Sequence, residues 1–416
     1  MWKWAAISLL MFLFGVNVYR AVTQSLTIDE AYTYNRFLST DLRVALTEYD
    51  ANNHVLYTLL AKPAVKLFGE REWVVRLPGV LAGLLYFVVV YLLARFLFGE
   101  GWLFFLAVAA MSLNPYVLDF LSCARGYGMG IALWLLGLYW MWNGRSTRAG
   151  VAFGLAAAAN LTLLFPIVAL MALQLRKPFE FIDRLALPAV ATAFVVLVIP
   201  ISHMQPGSFY VGSETAWRGI LTVTMMSVGQ DWMRQVSGVA IGLVIVIAAV
   251  AWRGRDEQLR LLVASFGIMW IVLVAARYLA NLKYPELRTG LYLIPFFTLL
   301  CLLALRGRHW LFAAPLFVMI AFYLGQWRIS YYGEWAFDSA TKQVAELLRR
   351  EKCMTVGASW ELLQTLQYYH VPQLNREPDG DFTCFVLLPS SRDLVARRHL
   401  RVIWQDPLSE VVVAEK

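Results

Sequence analysis

The chain has 416 residues, 60% of them apolar and only 15% charged, with a formal net charge of +8 and a mean hydropathy of +0.59. That balance excludes a soluble globular domain, and several apolar runs approach the length of a spanning helix. The positive charge does not point to nucleic acid, because in membrane proteins Lys and Arg collect in the cytoplasmic connections.

In chain order the apolar runs cover 4–19, 74–98, 102–118, 129–142, 150–161, 163–175, 185–201, 236–252, 261–278, 291–305 and 310–327. They predict an all-α polytopic membrane protein with about eleven transmembrane helices. The first run reads as a retained anchor, since the following "RAVTQSL" offers no small-x-small cleavage site. With the N-terminus cytoplasmic, the short basic connections hold Arg145 and Arg148, then Arg176, Lys177 and Arg184, then Arg253, Arg255 and Arg260, then Arg306 and Arg308. The positive-inside rule then predicts an odd number of spans and an extracytoplasmic C-terminus. It also requires 150–161 and 163–175 to be two short helices and not one bent one.

Three outer regions are long enough to hold a site: 21–73, 203–235 (containing "MQPGSFYVGSETAW") and 328–416. Residues 1–327, with the loop 21–73, read as the transmembrane module. The tail 328–416 reads as a small extracytoplasmic α/β domain. In it "CMTVGAS", "FTCFVLLP", "LRVIWQDP" and "EVVVAEK" predict strands, and "WELLQTLQYYHV" a helix. The four cysteines, at 123, 301, 353 and 384, show no zinc spacing. Cys353 and Cys384 each fall in a predicted strand, so a disulfide and two buried thiols both stay open.

The candidate chemistry begins at "TIDEAYTYNRF", residues 27–37. Thr27-x-x-Glu30 fits a capping box, in which Glu30 bonds back to the helix start. Asp29 sits where the chain leaves a span. A partly desolvated carboxylate there is raised in pKa and suited to act as a general base.

Asn52, Asn53 and His54 precede an amphipathic stretch whose Lys62 and Lys66 are four apart on one helical face. Such a helix can lie at the interface with its cations toward lipid phosphates, or its lysines can simply snorkel. In "NPYVLDFLSCARGYGMG", Asp119, Arg125 and Tyr127 lie at the outer ends of two spans. Asp119 and Arg125 form either a helix-pinning ion pair or, through the guanidinium fork, a phosphate ligand. In "NLKYPELRTGLYLIPFF", Lys283, Glu286 and Arg288 stand outside a late span. Arg288 there runs against the usual charge bias, which a lipid-linked phosphate would explain. No Gly-rich nucleotide loop, Ser-His-Asp spacing or metal-ligand spacing stands out.

Taken together, "DEAYTY", "NNHVLYTLL" running into "LFGEREWVVRLPGVLAG", "NPYVLDFLSCARGYGM" and "RTGLYLIPFF" resemble the C superfamily of membrane glycosyltransferases (GT-C). Across roughly residues 1–330 the chain is most similar to bacterial members related to protein O-mannosyltransferases and lipid A aminoarabinose transferases. The resemblance implies a polyprenyl-phosphate sugar as donor and an acceptor hydroxyl on a glycan, lipid or protein. It implies inverting transfer at the outer face of a bacterial plasma membrane.

It places the catalytic carboxylate on Asp29. Glu30, Tyr34, Asn53, His54 and Lys62 are assigned to substrate from the first loop, and Asp119, Arg125, Tyr127, Lys283 and Arg288 from the spans. No cofactor is required, and a divalent cation is compatible but not demanded. The aminoarabinose transferases carry Lys-Pro-Pro where this chain has "NNHVLY", so no lysine aligns there and His54 stands in that region. An O-antigen-type polymerase or ligase is the alternative. The 203–235 loop offers it only Arg218 and Arg234. A transporter would need charges near the membrane midplane.

Overall fold

The computed structural model describes residues 1–48, 50–175, 178–205, 211–307, 309–376 and 380–416. Arg176, Lys177 and Arg308 of the basic connections, Tyr49, and residues 206–210 of the 203–235 loop lie outside the described residues.

Each of the eleven apolar runs contains a helix. Among the described residues six helices are long and apolar enough to cross a membrane: Trp2–Thr23, Glu72–Phe98, Phe179–Ser202, Met233–Arg253, Glu257–Ala280 and Leu287–Arg306. Trp102–Ser112, Leu161–Ala172 and Ala313–Gly325 are shorter apolar helices. The protein is therefore a multi-pass membrane protein.

Two runs are cut where the sequence offers a cap. Asn114 accepts from the N–H groups of Tyr116 and Val117, with Pro115 at the first helical position. This ends the 102–118 run at Ser112 and starts a second helix, Pro115–Phe120. Asn160 adopts extended φ/ψ of −156°/112°, closes Ser146–Ala159 and caps the turn beginning at Leu161 with its side chain. The 150–175 segment is thus two short helices.

The chain forms two compact units. The first comprises Met1–Val18, Thr47–Tyr57 and Pro78–Trp327. In it, Gly79 and Gly83 bring helix Glu72–Phe98 close to the turn after Pro115–Phe120. A Cβ at either position would lie 2.6 Å from the carbonyl oxygen of Cys123 or Leu121, a close approach only glycine allows. Asp256 caps Glu257–Ala280 and accepts a bond from Arg306 Nε at 3.0 Å, so one carboxylate ties two helix ends together.

The second unit comprises Tyr19–Leu46, Thr58–Leu77 and Arg328–Lys416. Its centre is a five-stranded sheet of order β2-β1-β3-β5-β4. The strands are β1 (Val356–Ala358), β2 (Leu374–Arg376), β3 (Cys384–Leu387), β4 (Arg401–Gln405) and β5 (Val412–Glu415). The β2, β1 and β3 strands run parallel, and β5 pairs antiparallel with β3 and β4. Strand alternation sorts the core: Val386 and Val413 pack with Val344, Leu348 and Leu366 on one face. Phe385, Val412 and Ala414 pack with Leu394 and Leu400 on the other.

Cys353 and Cys384 are disulfide-bonded, with Cα atoms 5.8 Å apart. The β2 strand and the helices Thr341–Arg350 and Asp393–Arg397 are additions to the elements read from the sequence.

The grouping into units divides the first outer loop. The loop 21–73 does not belong as a whole with the transmembrane module: Tyr19–Leu46 and Thr58–Leu77 pack with the C-terminal residues. The reason is local. Helix Ile28–Thr33 has six residues, too few to be stable alone, and it packs on helix Leu363–Tyr368. Leu26 N–H donates to Tyr369 OH at 3.0 Å, and Ser25 Oγ to the Ser339 carbonyl at 3.1 Å.

Candidate functional site

In the second unit the two neighbouring carboxylates of "TIDEAY" have separate fates. Thr27 and Glu30 form the capping box: Thr27 N–H donates to Glu30 Oε2 at 2.8 Å, and Glu30 N–H to Thr27 Oγ1 at 3.3 Å. Arg76 then closes on Glu30, with Nε 2.8 Å from Oε1 and Nη2 2.6 Å from Oε2. Both side chains are fully buried. The same guanidinium donates to the carbonyls of Gln24 at 2.8 Å and Ser25 at 2.7 Å. Glu30 is therefore held by its own helix start and by Arg76.

Asp29, one residue earlier, turns elsewhere. It is 7% exposed, and its Oδ2 accepts a bond from Trp335 Nε1 at 3.2 Å. The helix beneath it is fixed by Asp338, whose Oδ2 accepts from Ile28 N–H at 2.7 Å and whose Oδ1 accepts from Thr365 Oγ1 at 3.2 Å. Burial pushes the Asp338 carboxyl well above its usual range. The Ile28 and Thr365 hydrogen bonds pull against that push, and the charges of Asp29 and Glu30 add to it.

Two further sequence-assigned residues of the first loop, Tyr34 and Lys62, have hydrogen-bond partners within it. Tyr34 OH donates to Glu70 Oε2 at 2.5 Å, and its ring packs edge-on against Tyr368 with centroids 4.9 Å apart. Burial and the Glu70 charge raise this phenol far above its usual range. Lys62 Nζ donates to the carbonyl of Phe37 at 2.7 Å and also to that of Thr40. It thereby satisfies carbonyls at the end of the turn Tyr34–Leu38. Both side chains brace the loop.

The first unit contains a cavity of about 400 Å³. Asn53, His54, Tyr127, Lys283 and Arg288 all line it, so five of the sequence-assigned residues come together there. Apolar walls come from Leu161, Phe165, Leu197, Ile201 and Pro285, among others. Arg288 stands in the turn Leu287–Gly290. The preceding Leu287 takes a left-handed φ of 48°, a conformation strained for leucine, while its N–H is held by Thr222 Oγ1 at 3.1 Å. Lys283 Nζ is 3.9 Å from Glu214 Oε1.

His54 Nδ1 lies 3.1 Å from the Ala159 carbonyl oxygen, so Nδ1 carries the proton and Nε2 is left as an acceptor. Burial pushes the imidazole well below its usual range. The Arg125 charge adds to this, the Ala159 carbonyl opposes it and the Arg288 charge contributes least. His54 is therefore neutral and supplies no charge to offset a phosphate.

Asp119 and Arg125 do not line the cavity. Arg125 is 1% exposed. Its Nη2 donates to Asn52 Oδ1 at 2.7 Å and its Nη1 to the Asn52 carbonyl at 3.2 Å. Arg125 thereby holds the Asn52–His54 segment in place. Asp119 is buried within Pro115–Phe120.

Sequence reasoning missed Arg76, Trp335 and Asp338. Arg76 carried a signal, being a charge at the edge of the apolar run 74–98. Trp335 and Asp338 carried none, because their partners are about 300 residues away in sequence.

The chain combines a mostly helical membrane bundle with a small C-terminal sheet domain, and this fold is shared with solved membrane proteins. Among solved structures, the chain is similar to ArnT from Cupriavidus metallidurans bound to undecaprenyl phosphate. The TM-score is 0.51 at 15% identity, covering 99% of this chain and 97% of that one. The apo state of the same protein gives 0.50 at 14% identity with the same coverage. An Archaeoglobus fulgidus oligosaccharyltransferase matches at 0.41 and 12% identity, over 98% of this chain and 73% of that one. No protein-family model matches the sequence, and no curated protein matches it.

Proposed function

We propose that this protein is an inverting glycosyltransferase that moves a sugar from a polyprenyl-phosphate donor to an acceptor hydroxyl. Asp29 is its general base. The observation that carries this reading is the unequal treatment of two adjacent carboxylates. Glu30 is locked by Arg76 and Thr27, whereas Asp29 is met by an indole N–H. An acid–base group needs a defined orientation, and the indole N–H supplies one to Asp29.

In the reaction Asp29 takes the proton of the acceptor hydroxyl as that oxygen bonds to the anomeric carbon. The bond from that carbon to the phosphate oxygen breaks, and polyprenyl phosphate leaves from the opposite face. Cationic side chains offset the phosphate charge as it develops. The undecaprenyl phosphate in the similar ArnT structure supports a polyprenyl-phosphate donor. The acceptor is a glycan, lipid or protein presented on the extracytoplasmic side of the plasma membrane, with the N-terminus cytoplasmic. No nucleotide takes part.

The test is to incubate the purified full-length protein with a panel of undecaprenyl-phosphate-linked sugars and a cell-envelope extract as acceptor source, following release of undecaprenyl phosphate. Release that is lost in Asp29→Asn is the expected result. No release from any donor, or full release in Asp29→Asn, would overturn the assignment.

A further inference from the structure

The segment after the last apolar helix approaches Asp29 in three ways. Trp335 Nε1 donates to Asp29 Oδ2. Asp338 accepts the N–H of Ile28, the residue before it. Tyr369 OH accepts the N–H of Leu26. Trp335 is 3% exposed. The 3-10 stretch Gly333–Asp338 leaves helical geometry at this residue, with φ/ψ of −125°/41°.

An indole N–H is a single donor with no acceptor capacity. Toward a carboxylate it can only fix one oxygen and favour the ionised form. In a buried site that preference is strengthened by the low local dielectric. A tryptophan kept only for packing would not need its nitrogen at this point.

We infer that Trp335 is a positioning residue for the Asp29 carboxylate, so that the C-terminal segment builds part of the catalytic site and is more than a cover for it. The inference rests on the reading of Asp29 as general base. Trp335 touches the base and not the reacting atoms. Its N–H holds Oδ2, sets the carboxylate rotamer and keeps the anion populated toward lower pH.

The test is the pH profile of undecaprenyl phosphate release by the full-length protein, on whichever donor of the panel the wild type turns over. Trp335→Phe keeps an aromatic ring and removes the donor. Its acid limb should move upward by about one pH unit, the size expected when a hydrogen bond to a buried charge is lost. KM for the donor should stay unchanged. Placing benzothienylalanine at position 335, where sulfur replaces the N–H in an isosteric ring, removes the donor without disturbing packing and should give the same shift. Trp335→His, which retains a ring N–H, should return the limb toward the wild-type position.

An unmoved acid limb in the benzothienylalanine protein would overturn the inference while leaving Asp29 as base. Full activity in Asp29→Asn would instead overturn the reading on which it rests.

Discussion

Arg76 and Glu30 form a buried ion pair with two parallel bonds, Nε to Oε1 at 2.8 Å and Nη2 to Oε2 at 2.6 Å, and neither side chain reaches solvent. The pair joins the start of helix Glu72–Phe98 to the short helix that carries Asp29. Removing one member strands the other charge in a dry site. Arg76→Met should therefore destabilise the protein by roughly 3–5 kcal/mol, read as a fall in the melting temperature in detergent. Adding Glu30→Met should recover only part of this, because the carbonyls of Gln24 and Ser25 still lose their donor. Equal melting temperatures for Arg76→Met and wild type would show that the pair does not hold the loop.

Asp338 predicts a pH dependence of stability. Its folded-state affinity for a proton is raised, chiefly by burial. The unfolded chain therefore loses this proton first as pH rises, and its bound-proton count falls below that of the folded state. By linkage the stabilising contribution is fully present below the ordinary Asp value of about 3.9 and declines as pH rises from there through the raised folded value. Asp338→Asn keeps an acceptor for Ile28 N–H and removes the charge. Thermal melts from pH 4 to 9 should show Asp338→Asn gaining on wild type as pH increases. A constant difference would disprove the assignment.

Arg288→Gln removes a cation from the cavity wall without adding bulk. KM for a polyprenyl-phosphate donor should rise by about tenfold or more, the scale of one charge-assisted hydrogen bond. The same change at Arg125 should behave differently. Loss of its bonds to Asn52 loosens the His54 segment, so Arg125→Gln should lower the melting temperature as well as turnover.

The disulfide between Cys353 and Cys384 spans a sequence separation of 31 residues and ties the end of helix Thr341–Arg350 to β3. Chain-entropy arguments give a closure of this length roughly 3–4 kcal/mol. Cys353→Ser with Cys384→Ser should lower the unfolding transition of the C-terminal residues, followed by protease protection of that region. Unchanged protection under reducing conditions would contradict this.

The membrane character was legible because it is a property of composition: every apolar run of the sequence contains a helix. So was the capping box, since Thr27 and Glu30 are three residues apart and meet within a single turn. Strands β1, β3, β4 and β5 were legible from short apolar runs bounded by turn residues. The β2 strand, Leu374–Arg376, was not, because two of its three residues are exposed polar ones at the sheet edge. The partners of the cations were not legible. Position along a helix end marks a cation as costly, but does not say whether a carbonyl, a carboxylate or a ligand accepts its donors. Lys62 went to carbonyls, Arg125 to Asn52, and Arg288 to the cavity wall.

By itself, then, the sequence determined the multi-pass bundle, the appended sheet domain and the pair of acids at the first exit from the membrane. These depend on hydropathy and on contacts a few residues apart. Only the tertiary structure decided which distant partner each acid takes. Glu30 is taken by Arg76, 46 residues on, and Asp29 is met by Trp335, 306 residues on. Such partners are chosen by packing, and packing brings together side chains whose separation along the chain carries no information about their distance in space.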